Sequence, residues 1–413
     1  MTCEHFGRCG GCAYLDISYE EELEIKRDAL VETLGEYSEF LGKIHPAPGV
    51  FGYRNKMEFA FGDEGANSSL TLGIRKKRSF YEVAPPNNCV LVPDDFKAIA
   101  AKVTSFFRAS GEMFFHRKRH TGALRHLVLR RGEATGEILV LLSATSGLQT
   151  SLDSFAEELL ATPLNGRIAG ILHAVNDGVA DAVKNENVKI LYGRDYFYEE
   201  MCGLRFKISQ FSFFQTNSKA AEILYGVVRE FAGAGSDFLF SGAGSNTGVA
   251  RCNRNTVGRF ALDLYCGTGT IAQIISPDFE KVAGVEIVED AILAARENAL
   301  ANGITNCEFH AGDAFEVLEN LAFVNPQNNV IIADPPRDGL HPKALAHVAG
   351  LGAPRIVYVA CKPKSLARDL PVLIEKGYQI EKIAAVDMFP RTPHIECVVG
   401  LSSQACCNPN LTT

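Results

Sequence analysis

The second half of the chain alternates short apolar strands with helical patterns, and this alternation limits the possible folds more than any other feature. Six strands are predicted between residues 259 and 401. Strands that alternate with helices are typical of a mainly parallel sheet with helices on both faces. The sequence therefore predicts an α/β fold for this half. The strands are RFALDLYC, KVAGVEI, CEFHAGD, NVIIADPP, RIVYVAC and IECVVGL.

The first half has a different character. A Cys- and Gly-rich start is followed by the amphipathic segment SYEEELEIKRDALVETLGE, in which Leu23, Ile25, Leu30 and Leu34 fit a helical stripe. Residues 50–205 contain short β-like runs separated by turns, which predicts a mixed α/β region with antiparallel pairing.

These changes in pattern predict two domains. We expect a first domain over residues 1–205 and a second over residues 206–401. Residues 232–260 are rich in Gly, Ser and Asn without periodicity, and we interpret them as a loop insertion. Residues 402–413 are expected to form a tail.

The composition excludes some classes of protein. No run of about 18 apolar residues is present, so no membrane span is expected, and the polar start predicts no signal peptide. We therefore expect a cytoplasmic protein. In a reducing compartment the 12 cysteines favour metal binding or catalysis over disulfides.

Basic residues are concentrated in one region of an otherwise acidic chain. The net charge is −8, yet residues 71–131 hold 13 Lys or Arg against 4 Asp or Glu. The runs IRKKRSF and FHRKRH carry most of this excess. A solvated basic face is one interpretation. Two runs beside Phe80, Phe114 and Phe115 favour a polyanion site in which aromatic rings stack on bases.

A glycine-rich turn follows the first predicted strand, with Gly267 and Gly269 in the pattern D-x-x-x-G-x-G. Such glycines let the backbone turn sharply and let a ligand approach it. The next strand ends near Glu286, where a carboxylate can accept hydrogen bonds from ribose hydroxyls. Asp313 and Asp334 follow the third and fourth strands. Because no phosphate-binding fingerprint accompanies the turn, these residues favour S-adenosylmethionine over NAD or ATP.

Cys361 ends the fifth predicted strand, directly before a Lys-Pro turn and a helix start. A methyltransferase needs a thiolate if it acts on carbon 5 of a pyrimidine, because addition to carbon 6 makes carbon 5 reactive. A helix start favours the thiolate, so we expect a lowered pKa at Cys361. A base must then remove the proton from carbon 5. Glu396, inside an apolar strand, is the first candidate, and His394, predicted on the same strand face, is the second.

Five motifs together resemble one enzyme family: FSFFQTNS, DLYCGTGT, DPPRDGL, YVACKPKSLARDL and DMFPRTPHIECVV. They resemble the S-adenosylmethionine-dependent RNA uracil-5-methyltransferases, which make 5-methyluridine in tRNA and 23S rRNA. The resemblance extends from Cys3 to Leu401 and implies a Rossmann-like class I methyltransferase sheet. It implies Cys361 as nucleophile and Glu396 as general base. The cofactor contacts that it implies are Gln215, Tyr265, Glu286, Asp313 and Asp334, and RNA-facing residues are implied at Arg54, Asn55, Lys56, Arg125 and His126.

The chain also departs from the family pattern. Lys362 follows the nucleophile where the family usually has Asn, and a cation there could lower the pKa of the thiol. The connection formed by residues 232–260 is longer than in the family. Because the resemblance begins at Cys3, we expect no N-terminal β-barrel RNA-binding domain.

Four cysteines form a candidate metal site. Cys3, Cys9 and Cys12 have the spacing C-x5-C-x2-C, and Cys89 follows after 76 intervening residues. Four thiolates could bind zinc or an iron–sulfur cluster, and spacing alone does not separate these. The family resemblance implies a [4Fe–4S] cluster, which we expect to stabilise a mixed α/β RNA-binding domain.

The combined hypothesis is a monomeric RNA uracil-C5 methyltransferase, with 23S rRNA preferred over tRNA because of the cluster cysteines. A tRNA enzyme is the first alternative. A non-catalytic iron–sulfur protein, which would bind RNA without releasing S-adenosylhomocysteine, is another. A cytosine-C5 methyltransferase is disfavoured, because the segment Asp334-Pro335-Pro336 lacks the cysteine typical of those enzymes.

Overall fold

The computed structural model describes residues 3–65, 68–178, 187–233, 256–314, 316–317 and 329–403. Most of the predicted insertion (234–255) and of the predicted tail (404–413) therefore lies outside the described residues. The helices are α1 (Tyr19–Leu34), α2 (Asp94–Ser110), α3 (Leu152–Leu160), α4 (Ser218–Phe231), α5 (Thr270–Ile275), α6 (Glu289–Ala301), α7 (Pro342–Gly350) and α8 (Pro363–Glu375).

Seventeen strands are assigned within these residues. Those of the first half are β1 (Leu41–His45), β2 (Lys56–Gly62), β3 (Thr71–Arg75), β4 (Val83–Ala84), β5 (Leu124–Arg131), β6 (Glu137–Ala144), β7 (Arg167–Val175), β8 (Val188–Gly193), β9 (Tyr196–Met201) and β10 (Leu204–Ser209). The others are β11 (Phe260–Leu264), β12 (Lys281–Glu286), β13 (Cys307–Ala311), β14 (Asn329–Ala333), β15 (Arg355–Ala360), β16 (Tyr378–Val386) and β17 (Glu396–Ser403).

The first half forms a seven-stranded sheet and a two-stranded hairpin. The order of the larger sheet is β4-β3-β2-β5-β6-β7-β8, and its neighbours are antiparallel except for the parallel pair β6 and β7. Strands β9 and β10 pair with each other alone. The predicted mixed α/β region with antiparallel pairing is therefore confirmed, with one parallel exception.

The second half forms an eight-stranded sheet in the order β1-β16-β17-β15-β14-β11-β12-β13. Its neighbours are parallel except where β17 lies between β15 and β16. The strand order reverses between β11 and β14, which creates a crevice at the carboxyl ends of these strands. The predicted Rossmann-like sheet is confirmed, and the structure adds β16 and β1, which the sequence interpretation missed.

Strand β1 belongs to the eight-stranded sheet and helix α1 packs against it, although both precede the strands of the seven-stranded sheet in sequence. Strand β1 pairs with β16, and the apolar residues of α1 pack in the core on one face of this sheet. The division of the chain at residue 205 stays a prediction, but this sheet takes an element from each side of it.

The buried face of α1 differs from the predicted stripe. Glu22, Lys26, Leu30 and Leu34 are buried, whereas Ile25 is 42% exposed. The prediction assigned apolar residues to the buried face, but Lys26 is buried because its charge is paired with that of Glu22 at 2.7 Å. A search for a stripe of apolar residues therefore misses the two buried charged residues of this helix face.

Apolar cores cover both faces of the eight-stranded sheet. On β15 the side chains alternate, with Val357 and Val359 in one core and Ile356 and Tyr358 in the other. The first of these cores continues into the hairpin β9–β10 and the sheet of the first half. No helix among the described residues combines the length and apolarity that a membrane span requires.

Candidate active site

Most of the predicted catalytic and cofactor residues lie at one edge of the eight-stranded sheet. Parallel strands end at a common edge, and an antiparallel neighbour begins there. Glu396 is the first residue of antiparallel β17, so it lies at the edge where its parallel neighbours end. The predicted residues that end or follow parallel strands at this edge are Tyr265, Gly267, Glu286, Asp313, Asp334 and Cys361.

The strand register brings the candidate nucleophile and base together. Ala360 on β15 is opposite Cys397 on β17, so the next residues along the ladder are Cys361 and Glu396. Side chains at directly opposed positions have Cβ atoms about 5 Å apart. Electrostatics supports this proximity, because the charge of Glu396 is, after burial, the next largest cause of the raised pKa of the thiol.

The carboxyl of Glu396 is in an environment that disfavours its charge. The residue is only 3% exposed, and its burial raises its pKa to about 8, with a further contribution from the charge of Asp334. Burial likewise raises the pKa of Asp334 to about 7. Arg337 opposes the shift at Glu396. A carboxyl that titrates near neutral pH is suited to taking up and releasing a proton during catalysis.

The expected lowering of the Cys361 pKa is wrong. Burial, together with the charges of Glu396 and Asp334, raises the pKa of this thiol to about 11. Helix α8 does begin at Pro363, but burial of the thiol and, after it, the two nearby carboxylates outweigh the effect of the helix start. The cation that lowers the thiol pKa is Arg337, so the role expected of Lys362 falls to a different residue.

Arg337 is the residue of this site that sequence reasoning missed. It is exposed, follows Pro336 in the turn after β14, and lowers the pKa values of both Cys361 and Glu396. The available signal was a basic residue directly after the acidic motif DPP. Its charge can stabilise the anionic forms of both groups, or negative charge that develops on a substrate.

His394 lies outside the strand on which it was predicted. Strand β17 begins at Glu396, and His394 is exposed in the preceding turn, so the two residues do not share a strand face. Partial desolvation of its ring by neighbouring groups lowers the pKa of His394, and the charges of Arg337 and Arg54 contribute in the same direction. This influence of Arg337 and Arg54 indicates that His394 lies at the entrance of the site.

The glycine-rich turn after β11 has two glycines with different functions. A Cβ on Gly267 would meet no atom within 4 Å, so the space beside this residue is open to a ligand. A Cβ on Gly269 would lie 2.5 Å from the ring of Phe309, so this glycine is required for packing. Both residues have positive φ, which glycine adopts without strain.

The acidic residue that ends β12 shapes this turn. Glu286 accepts hydrogen bonds from Gly267 N at 3.2 Å and from Val288 N at 3.0 Å. Burial raises the pKa of the Tyr265 hydroxyl, and the carboxylates of Asp313 and Glu286 contribute to the same shift. Their influence indicates that both carboxylates lie near Tyr265. These side chains therefore surround one space beside the turn, which is consistent with the predicted nucleoside pocket.

Gln215 lies in the loop before α4 and is buried. The side chain of Asn55 donates to its carbonyl oxygen at 2.9 Å, and Asn217 donates to the carbonyl of Met388 at 3.0 Å. The loop is thus held between the first sheet and the segment that precedes Glu396. The structure also locates Tyr225 of α4 near Asp334 and Glu396, whose charges raise the pKa of this buried hydroxyl.

The four N-terminal cysteine candidates lie apart from this edge, in the first half of the chain. Burial, together with the thiols of Cys89, Cys9 and Cys3, raises the pKa of Cys12 to about 12, and the influence of these thiols indicates that the four are neighbours. Burial raises the pKa of Cys89 as well, and hydrogen bonds from the backbone N–H groups of Leu91 and Val92 oppose this shift. Even so, within the described residues no group of three or more His, Cys, Asp or Glu side chains is arranged to hold a metal ion.

The two basic runs meet on the surface of the first half. The ring of Tyr81 stacks on that of His116, with centroids 4.3 Å apart, so the turn after β3 contacts the hairpin that precedes β5. Phe80 is 71% exposed and Met113 is 63% exposed beside these cations. We call residues 75–80 and 113–120 the basic surface.

Comparisons with known proteins agree with this geometry. The tRNA (Uracil-5-)-methyltransferase family matches residues 249–404. An "uncharacterized RNA methyltransferase" from Clostridium tetani is 43% identical over 403 residues, which cover 97% of this chain and 83% of the relative. A protein of the same description from Caldanaerobacter subterraneus is 41% identical, with 97% and 84% covered.

A solved structure shows the same fold. The tRNA (uracil-54, C5)-methyltransferase of Pyrococcus abyssi, in complex with S-adenosyl-L-homocysteine, is 27% identical and superposes with a TM-score of 0.74 over 96% of this chain and 86% of the other. Fold, sequence identity and the residues at the sheet edge thus agree. The chain belongs to the family of S-adenosylmethionine-dependent RNA uracil-5-methyltransferases.

Proposed function

We propose that this enzyme transfers a methyl group from S-adenosylmethionine to carbon 5 of a specific uridine in 23S rRNA through a covalent bond between Cys361 and carbon 6. The observation that carries the proposal is the register of β15 and β17, which makes Cys361 and Glu396 neighbours. A nucleophile for carbon 6 and a base for carbon 5 must reach adjacent atoms of one ring, and this arrangement meets that requirement.

The site residues have complementary roles in the proposed reaction. The thiolate of Cys361 bonds to carbon 6, and the electron pair of the carbon 5–carbon 6 double bond moves toward the carbonyl oxygen at carbon 4. The cation of Arg337 stabilises negative charge at this stage. S-adenosylmethionine supplies the methyl group that carbon 5 takes up. Glu396 removes the proton from carbon 5, the double bond re-forms, and the sulfur leaves carbon 6.

The raised pKa of Cys361 fits this sequence of steps. A thiol with a pKa of about 11 is protonated at neutral pH and does not react indiscriminately. Asp334 lies near it and has a pKa of about 7, so this carboxyl is partly ionised at neutral pH and can accept the thiol proton. The ionised form of Glu396 is then left to take the proton of carbon 5. The proposal is therefore that the nucleophile is activated within the site by proton transfer to a carboxylate.

The basic surface and Arg54 are proposed to bind the RNA. Arg54 lowers the pKa of Cys12 on one side and that of His394 on the other, so it lies between the cysteines and the entrance of the active site. Cations in this position can contact phosphates, and the exposed ring of Phe80 can stack on a base.

The four neighbouring thiols are proposed to bind a [4Fe–4S] cluster, as the family resemblance implies. Their mutual proximity, their burial and the two N–H groups directed at Cys89 support this, because thiolates beside a cluster are commonly hydrogen-bonded. In this proposal the cluster stabilises the first half of the chain and takes no part in methyl transfer. A 23S rRNA target is preferred on the same resemblance. A tRNA target is the alternative, which the 27% identity to the Pyrococcus abyssi enzyme supports.

The covalent step can be tested with variants of the two catalytic residues. Transcribed 23S rRNA and tRNA that contain 5-fluorouridine should trap the wild type in a complex that survives denaturing gels, because fluorine does not leave as a proton does. Cys361→Ala should bind RNA but form no such complex. Glu396→Gln should accumulate it with ordinary uridine as well, because removal of a general base slows proton removal by about 10²–10⁴-fold.

Cys397→Ala is the matched control, since Cys397 is the neighbouring thiol on β17 and is fully buried. It should form the complex as the wild type does. A complex that persists in Cys361→Ala would show that another thiol is the nucleophile. Methylation of tRNA but not of 23S rRNA would establish the alternative target.

A further inference from the structure

A buried network of charges lies directly before the strand that carries Glu396. Lys26 donates to Glu22 and to Asp387, each at 2.7 Å, and all three residues are at most 2% exposed. Arg391 is 3.5 Å from the second oxygen of Glu22 and is also buried. Tyr19 donates to Asp387 at 2.8 Å. The network joins α1 to the connection between β16 and β17.

Four consecutive carbonyl oxygens of this connection each accept a hydrogen bond from a group outside the eight-stranded sheet. The acceptors and donors are Met388 and the Asn217 side chain (3.0 Å), Phe389 and Lys26 (3.3 Å), Pro390 and the Tyr53 hydroxyl (2.9 Å), and Arg391 and the backbone N–H of Ala13 (2.8 Å). A loop with so many external bonds is fixed in position. Its last residues lead to His394 and Glu396.

Arg391 makes the largest number of these connections. Its guanidinium donates to the carbonyl oxygens of Tyr14 and Ile17 at 3.1 and 3.0 Å, and its backbone N–H donates to Glu22 at 2.7 Å. Its φ is +68°, a conformation that costs about 1 kcal/mol or more in a residue other than glycine. The surrounding bonds offset this cost, since the residue keeps this conformation.

We infer that Arg391, together with Glu22, Lys26 and Asp387, positions Glu396 against Cys361 and connects the cysteine-bearing N-terminal segment to the catalytic base. Buried ion networks are poor sources of stability compared with apolar packing, but they do specify a single geometry. Here that geometry is needed, because a displacement of about 1 Å at a catalytic group can cost about 10²-fold in rate. Arg391 is thus a positioning residue for the reaction proposed above.

The inference can be tested without RNA through the reactivity of Cys361. Burial contributes most to the raised pKa of this thiol; among its charged neighbours Glu396 contributes most, Asp334 adds to the shift and Arg337 opposes it. If Arg391→Gln lets Glu396 move away, the thiol pKa falls toward its ordinary value. Alkylation of Cys361 by iodoacetamide at pH 8, followed by peptide mass spectrometry, should then be about tenfold faster, because each unit of pKa changes the thiolate fraction tenfold.

Arg27→Gln is the matched control. Arg27 lies on the same helix as Glu22 and Lys26 and also donates to a carbonyl oxygen, that of Gly42 at 3.0 Å, but it is exposed. It should leave the alkylation rate unchanged. Tyr19→Phe removes one bond to Asp387 with little change in shape, and it serves if Arg391→Gln does not fold. An unchanged alkylation rate in a folded Arg391→Gln or Tyr19→Phe variant would overturn the inference.

A second measurement rests on the proposed function and uses the same variants. With transcribed 23S rRNA and tRNA, Arg391→Gln should raise the fraction of enzyme held in the covalent complex about tenfold over the wild type. A variant that is only less stable would lose active molecules, which lowers this fraction instead of raising it. If the wild type forms no complex, the covalent proposal fails while the alkylation result still decides the positioning role of Arg391.

Discussion

The buried carboxyl of Glu396 should make the protein less stable as the pH rises, and Glu396→Gln should remove this effect. The ordinary pKa of the group is 4.5, and burial raises it to about 8 in the folded protein. Between these values the unfolded chain has lost this proton while the folded protein retains it. The unfolded state therefore binds fewer protons, and the free energy of unfolding falls with rising pH.

The magnitude follows from the two pKa values. Each pH unit between them lowers the free energy of unfolding by about 1.4 kcal/mol. From pH 5.5 to pH 8 the loss therefore amounts to about 3 kcal/mol. The group is 3% exposed, so solvent screens this effect little. Glutamine has the shape of the protonated acid but does not titrate. The free energy of unfolding of the variant therefore does not fall with pH for this reason.

The assay is equilibrium unfolding in urea at pH 5.5, 6.5, 7.5 and 8, followed by circular dichroism. The stability of Glu396→Gln minus that of the wild type should grow by about 3 kcal/mol across this range. Asp334 titrates over the same range, but it is present in both proteins and largely cancels in the difference. Glu24→Gln is the control, because Glu24 is exposed on α1 and the substitution should leave a constant difference. A constant difference for Glu396→Gln as well would refute the reasoning.

Two further predictions concern the first half of the chain. Protein purified without oxygen should be brown and contain iron and sulfide in similar amounts, and Cys89→Ser should bleach it; a colourless protein with one bound zinc would contradict the cluster. Replacement of Arg117, Lys118 and Arg119 by Ala should weaken RNA binding and reduce its salt dependence, by about 1 in the logarithmic slope for each lost phosphate contact. Binding of S-adenosylmethionine should not change, and RNA affinity that persists at every salt concentration would show that this part of the basic surface is only solvated.

The consequence for the enzyme is a balance between stability and activity. The environment that raises the pKa of Glu396 destabilises the folded protein at neutral pH, yet it brings the carboxyl close to the pH at which a base works best. An apolar residue at this position of β17 would avoid that cost. The retained carboxylate is therefore explained by the chemistry proposed for this edge of the sheet and not by folding.

The sequence by itself determined the α/β alternation and the strands that end at the active edge. Buried parallel strands are continuous apolar runs, so β11, β14 and β15 stand out. Strand β16 was missed because exposed Gln379 and Glu381 interrupt its apolar residues. The motifs also identified Cys361 and Glu396 separately, because a thiol at a strand end and a carboxylate inside an apolar strand are unusual locally.

Only the tertiary structure decided how these residues act on one another. The antiparallel insertion of β17 beside β15 pairs Ala360 with Cys397 and so brings the next residues, Cys361 and Glu396, close together, which no local pattern encodes. The sign of the Cys361 pKa shift was predicted wrongly because it depends first on burial and then on the charges of Glu396 and Asp334, which local sequence does not reveal. Lys26 was missed for the same reason, since Asp387 lies 361 residues away. Local sequence specifies periodicity and side-chain chemistry, whereas the energy of a charge depends on burial and on neighbours that only the folded chain brings together.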